Sequence, residues 1–386
     1  MIFLDNASTT KLCDSAVENL IKFSTEMFYN PSSSYSVGME NYNNIEKTKE
    51  ILCKKLNVNY ENNIIFTGSA TEASNLAIFG SYKKSWKKAI FSAGEHPSVY
   101  NSALKLAENG VEVIFVNLQS NGEVDYDDLK NKLDDSVNFI SIMHVSNETG
   151  AINDIKKINN LRKSFAKNAL FHVDGVQAFC KIPVNLSEVD VDFYTISAHK
   201  FNGPKGIGAL YVKNKNKLKP IIFGGGQEYN LRSGTENLAS IMALNSALKE
   251  IEDVNKNFDY VKKLNLLFKD SLIKNLDAEI EIKFVQNQNL SPYILSVSIP
   301  KIKGEVLQNL CDKNGLLIST GSACSSKKSG NRILEQMKYS KEEVIGNIRV
   351  SFSRLTTEEE VKKGSLILAE SINHLWRIIK WKEWLF

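Results

Sequence analysis

The sequence predicts an α/β protein, with a large domain built on a mostly parallel sheet flanked by helices and a smaller α+β domain beside it. Two observations lead there. Between Ile64 and Val212 short apolar runs alternate with segments of helical spacing, the signature of strands separated by crossover helices. After Asn237 a long helical stretch continues, with interruptions, towards Leu276, and beyond it strand-like and helix-like segments again alternate. The helical stretch is a natural connector, which places the large domain at 15–255 and assigns 1–14 and 256–386 to the small one.

Phe3 to Thr10 is a short strand running into small polar residues. Asp14 can cap a helix carrying Val17, Leu20 and Ile21 on one side. Asn30 to Ser34 is a loop, and Asn44 to Leu56 reads as a helix. Strands are expected at Ile64 to Phe66, Ala89 to Phe91, Val111 to Val116, Val137 to His144, Leu170 to Val173, Phe193 to Ile196 and Ala209 to Val212. Helices are expected from near Thr71, over Pro97 to Glu108 with proline in the first turn, and over Tyr126 to Leu133 and Ile155 to Lys167. In the small domain Ile294 to Ile299, Leu316 to Ser319 and Ile348 to Phe352 read as strands, and Val306 to Cys311 and Thr357 to Trp376 as helices.

With 386 residues, 42% hydrophobic and 24% charged, the chain has the composition of a soluble globular protein. A formal net charge of +4 with scattered basic residues argues against direct nucleic-acid binding. No apolar run approaches the roughly 20 residues that span a bilayer. Met1 to Asp5 has no basic region, so no signal peptide is expected and the cytoplasm is the default location. The five cysteines are odd in number and contain no C-x-x-C, which indicates neither a disulfide framework nor a metal site. Cys53, Cys180 and Cys311 read as buried packing residues.

Open sheets of this kind collect ligands at the carboxyl ends of their strands, and several unusual residues fall there. Gly68-Ser69-Ala70-Thr71 joins a strand to a helix start, which is either a capping loop or an anion site. His96, just before a helix, is either a cap or a catalytic ring. Asn147 is the first side chain clear of the core after a strand. Asp174 directly follows an apolar strand; it either caps the next helix or needs a cationic or hydrogen-bonding partner. Lys200 ends Ser197-Ala198-His199-Lys200, between an apolar strand and a glycine-rich loop. A lysine desolvated there can be neutral enough to attack a carbonyl. Together these supply an anion site, a ring, an aspartate for a protonated nitrogen and an imine-forming lysine, the inventory that holds pyridoxal 5′-phosphate. Ser197 and His199 are placed to donate to phosphate oxygens.

Two residues lie far downstream. Cys324 is flanked by small residues, with Lys327 and Lys328 nearby, a setting that favours the thiolate. Arg349 lies inside an apolar strand and wants a carboxylate, from a structural partner or from an amino-acid substrate.

Ordered along the chain, Leu4-Asp5-Asn6-Ala7, Asn30-Pro31-Ser32-Ser33, Ala70-Thr71-Glu72-Ala73, Glu95-His96-Pro97-Ser98-Val99, Asn147-Glu148-Thr149-Gly150, Val173-Asp174, Gln177-Ala178, the Lys200 stretch, Gly224 to Glu228, Arg232 to Asn237, Gly321 to Ser325 and Ile348 to Ser351 resemble the cysteine desulfurases. These belong to the class V aminotransferase group of fold-type I pyridoxal-phosphate enzymes, and the match is to their longer-loop branch. The resemblance implies that Lys200 binds the cofactor aldehyde and moves protons at the substrate carbon. It implies that His96 stacks on the ring, that Asp174 pairs with the ring nitrogen and that Gln177 bonds to the phenolic oxygen. Ala70, Thr71, Ser197 and His199 would hold the phosphate, and Thr235 would reach the phosphate of a neighbouring subunit in a homodimer. Asn147 and Arg349 would hold the carboxylate of L-cysteine. Cys324 would take its sulfur as a persulfide, leaving L-alanine, and pass it to an acceptor protein such as an iron–sulfur scaffold or a thiolation enzyme. Gly68-Ser69 reverses the usual order, Tyr35 stands where many relatives have histidine, and Gly175 where alanine is common. The alternatives are another enzyme on the same scaffold, such as a selenocysteine lyase or an aminotransferase, and a non-catalytic sulfur carrier.

Overall fold

The computed structural model describes residues 1–59, 63–320 and 331–385, with side chains to residue 381. Its strands are Ile2–Phe3 (β1), Ile64–Thr67 (β2), Lys88–Ser92 (β3), Glu112–Val116 (β4), Val137–Met143 (β5), Leu170–Asp174 (β6), Phe193–Ser197 (β7), Gly208–Val212 (β8), Lys283–Phe284 (β9), Ile294–Ser298 (β10), Leu316–Leu317 (β11) and Asn347–Ser351 (β12). Among the described residues seven of them form the main sheet, in the order β2-β8-β7-β6-β5-β3-β4. Only β8 runs against its neighbours. The other six therefore end on the same edge.

The alternation of side chains along each strand explains the layering. Ile64 and Phe66 of β2 pack on one face with Ile90, Ile140, Ile142, Tyr194 and Ile196, under the helices Ser36–Lys55, Ile155–Phe165 and Leu238–Glu250. The intervening Ile65, Ala89, Phe91, Phe139 and Phe193 pack on the other face, under Ala70–Ser81 and Pro97–Glu108. The sheet is thus covered by helices on both sides, the arrangement a near-continuously apolar strand requires. A separate apolar core joins Leu4 and Ala7 to the antiparallel β12-β10-β9 sheet, to the helix Val254–Asn275 and to the C-terminal helix Glu358–Leu385.

The strands expected from the sequence agree to within about two residues, β9 is not among them, and three helices differ. Asp14 is the first residue of the helix Asp14–Thr25 rather than its cap; Cys13 holds the cap position, and its side chain makes no capping hydrogen bond. That helix buries Ala16 and Phe23, in one core with Ala243 and Ala247, and leaves Val17 and Ile21 exposed. A small residue permits close helix approach, and here that outweighed the apolar stripe. The next helix begins at Ser36, not Asn44, and buries Gly38 and Asn41 in its extra turns. The last runs to Leu385 rather than Trp376. No described helix is long and apolar enough to cross a membrane.

The N-terminal segment bridges the two cores. Asn6 and Ala7 bond to Ser351 on β12, while Thr10 N–H donates to His199 O at 2.9 Å. Residues 5–9 are thereby laid across the carboxyl edge of the main sheet.

Candidate active site

A cavity of about 680 Å³ opens at that edge, within the range of small-molecule sites. Because six strands end there, residues scattered between 67 and 200 converge on it. Lys200 follows β7 in a single 3₁₀ turn, and its Nζ donates to Ala7 O at 2.8 Å and Ser8 O at 2.7 Å. Burial, then the nearby Arg349 cation, lowers its pKa to about 8, against the opposing pull of Asp5, Asp174 and Glu148. A fraction of this lysine is therefore neutral, as a nucleophilic amine must be.

Asp174 ends β6, one strand over. It is buried, and among the described residues one hydrogen bond reaches its carboxylate, from Val176 N–H at 3.0 Å. Burial raises its pKa to about 6, against that bond and Lys200. Gln177, one turn on, donates from Nε2 to Ala7 O at 2.9 Å and accepts at Oε1 from Lys181 Nζ at 2.7 Å. No helix follows Asp174; the residues form successive turns, so its bond to Val176 is a local turn contact.

His96 enters from β3 as the cap of the helix Pro97–Glu108, its Nδ1 accepting from Ser98 N–H at 3.2 Å. Its side chain is exposed in the open cavity. Desolvation, then Lys200, lowers its pKa to about 4, so the imidazole is neutral near pH 7. The preceding Glu95 is fully buried, accepts from Met143 N–H at 2.7 Å, and has no hydrogen-bond partner for Oε2 among the described residues. Burial, then Asp174, raises the Glu95 pKa well above the carboxylate range. Glu95 thus ties the segment after β3 to the end of β5.

The helix Ala70–Ser81 points its start at the cavity. Ser69 caps it, accepting from Glu72 N–H at 3.2 Å, and Ala73 N–H bonds to Ser69 O at 3.0 Å. The amides of Ala70 and Thr71 have no acceptor within their own helix, which leaves them for an anion. The Gly68-Ser69 order thus puts the serine at the cap. Gly208 is what lets this loop sit against the sheet: a Cβ there would lie 2.6 Å from Ser69 C and 2.8 Å from Ala70 N. Ser197 is buried at the end of β7, and His199 shares a 3.1 Å contact between Nδ1 and Thr9 Oγ1. Burial, then Lys200, lowers the His199 pKa to about 4.

Asn147 and Arg349 meet in the lining of the same cavity. Arg349 Nη1 donates to Asn147 O at 2.9 Å, Nη2 pairs with Asp5 Oδ1 at 2.9 Å, and Glu148 Oε1 lies 3.5 Å from Nη1. The arginine thus has a structural carboxylate partner, while its Nε and the Asn147 Oδ1 have no hydrogen-bond partner among the described residues. Thr235 is apart from the rest. It is exposed, in a neighbouring cavity of about 120 Å³ that shares Gly68, Gly206 and Ile207 with the main one. Cys324 lies outside the described residues. Thr320 lines the cavity, and Arg332 donates to Ala93 O and Glu95 O, each at 2.6 Å.

The model of the family described as aminotransferase class-V matches residues 2–363. The chain belongs to the class V aminotransferase family. A cysteine desulfurase IscS from Dictyoglomus turgidum is 35% identical over 391 residues, covering 99% of this chain and 98% of that protein. Another IscS, from Rickettsia prowazekii, is 33% identical and covers 98% of this chain and 92% of that one. Among solved structures a NifS-like protein superposes with a TM-score of 0.89 at 31% identity, covering 98% and 99% of the two chains. SspA in complex with cysteine gives 0.80 at 26%, covering 92% and 100%.

Class V enzymes of this kind depend on pyridoxal 5′-phosphate, and the residues here fit it. Asp174 offers a buried carboxylate with one backbone bond to a ring nitrogen that carries a proton. Ala70 and Thr71 offer amides to a phosphate. Among the described residues neither Lys181 nor Lys200 is ion-paired to a carboxylate, so the pocket suits an anionic group. Sequence reasoning missed Lys181, Glu95, Asp5 and Tyr194. Asp5 was within the N-terminal motif, and Lys181 stands four residues after Gln177, a spacing that could have drawn attention to it.

Proposed function

We propose that the protein is a pyridoxal-phosphate-dependent L-cysteine desulfurase that hands on sulfur through Cys324. One observation carries the reading. Lys200, Asp174, His96 and the start of the helix at Ala70, from four separate strand ends, line one cavity with Asn147 and Arg349. An aminotransferase-like scaffold with an additional thiol four residues beyond the cavity wall at Thr320 fits sulfur removal better than transamination. Four residues reach about 14 Å.

The cofactor, when bound, supplies an electrophilic carbon for the substrate amine and a ring that accepts electrons from the substrate carbon. Lys200 would attach it and carry protons to and from the substrate's Cα. Asp174 would keep the ring nitrogen protonated, and His96, neutral, would stack on the ring. Gln177 would donate to the ring oxygen; Ala70, Thr71, Ser197 and His199 would hold the phosphate. Asn147 and Arg349 would take the substrate carboxylate. The Cys324 thiolate would bond to the substrate sulfur as the carbon–sulfur bond breaks, so that thiol and L-cysteine become persulfide and L-alanine.

We take the protein to work as a homodimer, with Thr235 serving the partner's phosphate site. Its exposure, and the exposed Phe223 in the preceding loop, support this. We take residues 15–255 as the cofactor domain and 1–14 with 256–386 as the domain that presents Cys324. The acceptor is an iron–sulfur scaffold or a thiolation enzyme, and the compartment the cytoplasm.

The test is to add L-cysteine and a reductant to purified protein and measure L-alanine and sulfide. Cys324→Ala should keep the visible absorption of bound cofactor and lose sulfide release. A protein that cannot be loaded with cofactor, or a Cys324→Ala variant as active as wild type, would overturn the reading.

A further inference from the structure

Lys181 lies behind the cavity wall and is 3% exposed. Its ammonium makes one hydrogen bond among the described residues, the 2.7 Å contact from Nζ to Gln177 Oε1, and the Tyr293 ring centroid is 5.6 Å away. Among the described residues it has no carboxylate in ion-pair range. The charged groups that face it are cations, Lys200 on the turn after β7 and Arg349 on β12, with the neutral His199 beside Lys200. Burial, then Lys200 and Arg349, lowers its pKa to about 7. An ammonium held this way is costly, and a methionine of similar length would pack on Tyr293 without that cost. The lysine is therefore poorly explained by packing.

Its contact with Gln177 suggests what it does. An amide accepts at one end and donates at the other, an ammonium only donates, and a carbonyl only accepts. With Lys181 Nζ at one end and Ala7 O at the other, the Gln177 amide has a single orientation. Oε1 faces the back of the wall and Nε2 the Ala7 carbonyl, with one N–H of Nε2 to spare. Gln177 itself lines the cavity. The same Ala7 carbonyl accepts from Lys200 at 2.8 Å, so the amide and the lysine are held through one atom.

We propose that Lys181 is a positioning residue for the cofactor: it locks Gln177 so that its spare N–H serves the anionic oxygen of the bound ring. Its positive charge, carried to the cavity through the Gln177 dipole, favours the anionic form of that oxygen and disfavours a proton on the adjoining nitrogen. This rests on the pyridoxal-phosphate reading above.

The experiment compares holoenzymes of wild type, Lys181→Met, Gln177→Leu and the double variant. Each is titrated from acid to alkaline pH by the visible absorption of the bound cofactor. Lys181→Met should raise the midpoint by about half a unit or more, because a nearby cation and an aligned donor are both lost. Gln177→Leu should raise it likewise, and the double variant should match Gln177→Leu alone. Lys181→Gln, which keeps a donor but not the charge, should fall between wild type and Lys181→Met; it also serves if Lys181→Met fails to fold. Profiles of Lys181→Met and wild type that coincide overturn the proposal. So does a Lys181→Met shift that persists undiminished in the Gln177→Leu background, since the lysine would then not act through the amide. A wild-type protein with no cofactor band would instead remove the underlying reading, an outcome distinct from a band that does not move.

Discussion

Gly175 is fixed by one side chain. A Cβ at 175 would lie 1.9 Å from Cε1 and 2.1 Å from Cζ of Tyr194, against the roughly 3.5 Å that carbon atoms need. Tyr194 is fully buried, and its hydroxyl bonds to His144 Nδ1 at 3.0 Å, so the ring has no free direction. Gly175→Ala must displace the ring or the backbone by about 1.5 Å. Over-packing of this kind costs about 1–3 kcal/mol, and straining the buried Tyr194–His144 bond adds about 1 kcal/mol. A total near 3 kcal/mol corresponds to a melting shift of about 3–4 °C for a chain of this size. Thermal denaturation followed by circular dichroism measures it. Tyr194→Val removes the obstacle, so Gly175→Ala should be nearly neutral in that background, and the double-mutant cycle should show coupling of about 2 kcal/mol or more. A Gly175→Ala variant that melts within about 1 °C of wild type refutes the steric argument. So does a Gly175→Ala loss of stability that is undiminished in the Tyr194→Val background.

Gly208→Ala should drive the Ser69-Ala70 backbone away from the sheet, and equilibrium dialysis should show cofactor affinity falling at least tenfold with little change in secondary structure. Arg349→Gln should raise the KM for L-cysteine more than it lowers kcat, because the lost charge serves binding in both ground and transition states; equal losses in kcat and kcat/KM would refute a carboxylate-holding role. The apoprotein should become more stable from pH 7 to pH 9. Lys181 has a folded pKa of about 7 and Lys200 of about 8, both below the ordinary lysine value, so over that window the unfolded chain holds more protons and rising pH favours the fold. For fully buried Lys181 the gain is about 2 kcal/mol, and Lys181→Met should abolish that part of the rise in melting temperature.

The strand ends were legible because continuous apolar runs stop where the chain leaves the sheet, and Asp174, Asn147 and Lys200 each follow such a run directly. Residues whose role depends on a distant partner were not. Tyr194 reads as an ordinary strand aromatic, and nothing local says that its ring fills the space beside Gly175. Lys181, in Phe179-Cys180-Lys181-Ile182, reads as a surface lysine although it is among the most enclosed charges in the chain. Arg349 announced its need for a carboxylate, but Asp5 stands 344 residues away, and only the fold brings it to 2.9 Å. The apolar side of the Asp14–Thr25 helix failed for a related reason: the choice between Ala16 and Val17 as the buried face is made by how closely Leu238–Glu250 can approach.

The protonation of the site has a common cause in these distant contacts. Lys200, Lys181, Asp174 and Glu95 are each moved toward the neutral form, chiefly by burial, and Arg349 adds to the effect on both lysines. Of the three basic groups Arg349, Lys181 and Lys200, Arg349 alone has carboxylates in ion-pair range among the described residues, those of Asp5 and Glu148. A ligand with a protonated ring nitrogen, an anionic ring oxygen and a phosphate would reverse the trend group by group. A cation next to Asp174 favours its carboxylate, and an anion near Gln177 favours the Lys181 ammonium. Binding such a ligand should therefore release a proton at Asp174 and take one up at Lys181. Isothermal titration in two buffers of different ionisation enthalpy reads the net transfer. At about pH 6.5, between the two folded pKa values, the two nearly cancel in wild type, whereas Lys181→Met should leave net release. Equal net transfer in the two proteins would mean that Lys181 does not respond to the bound group.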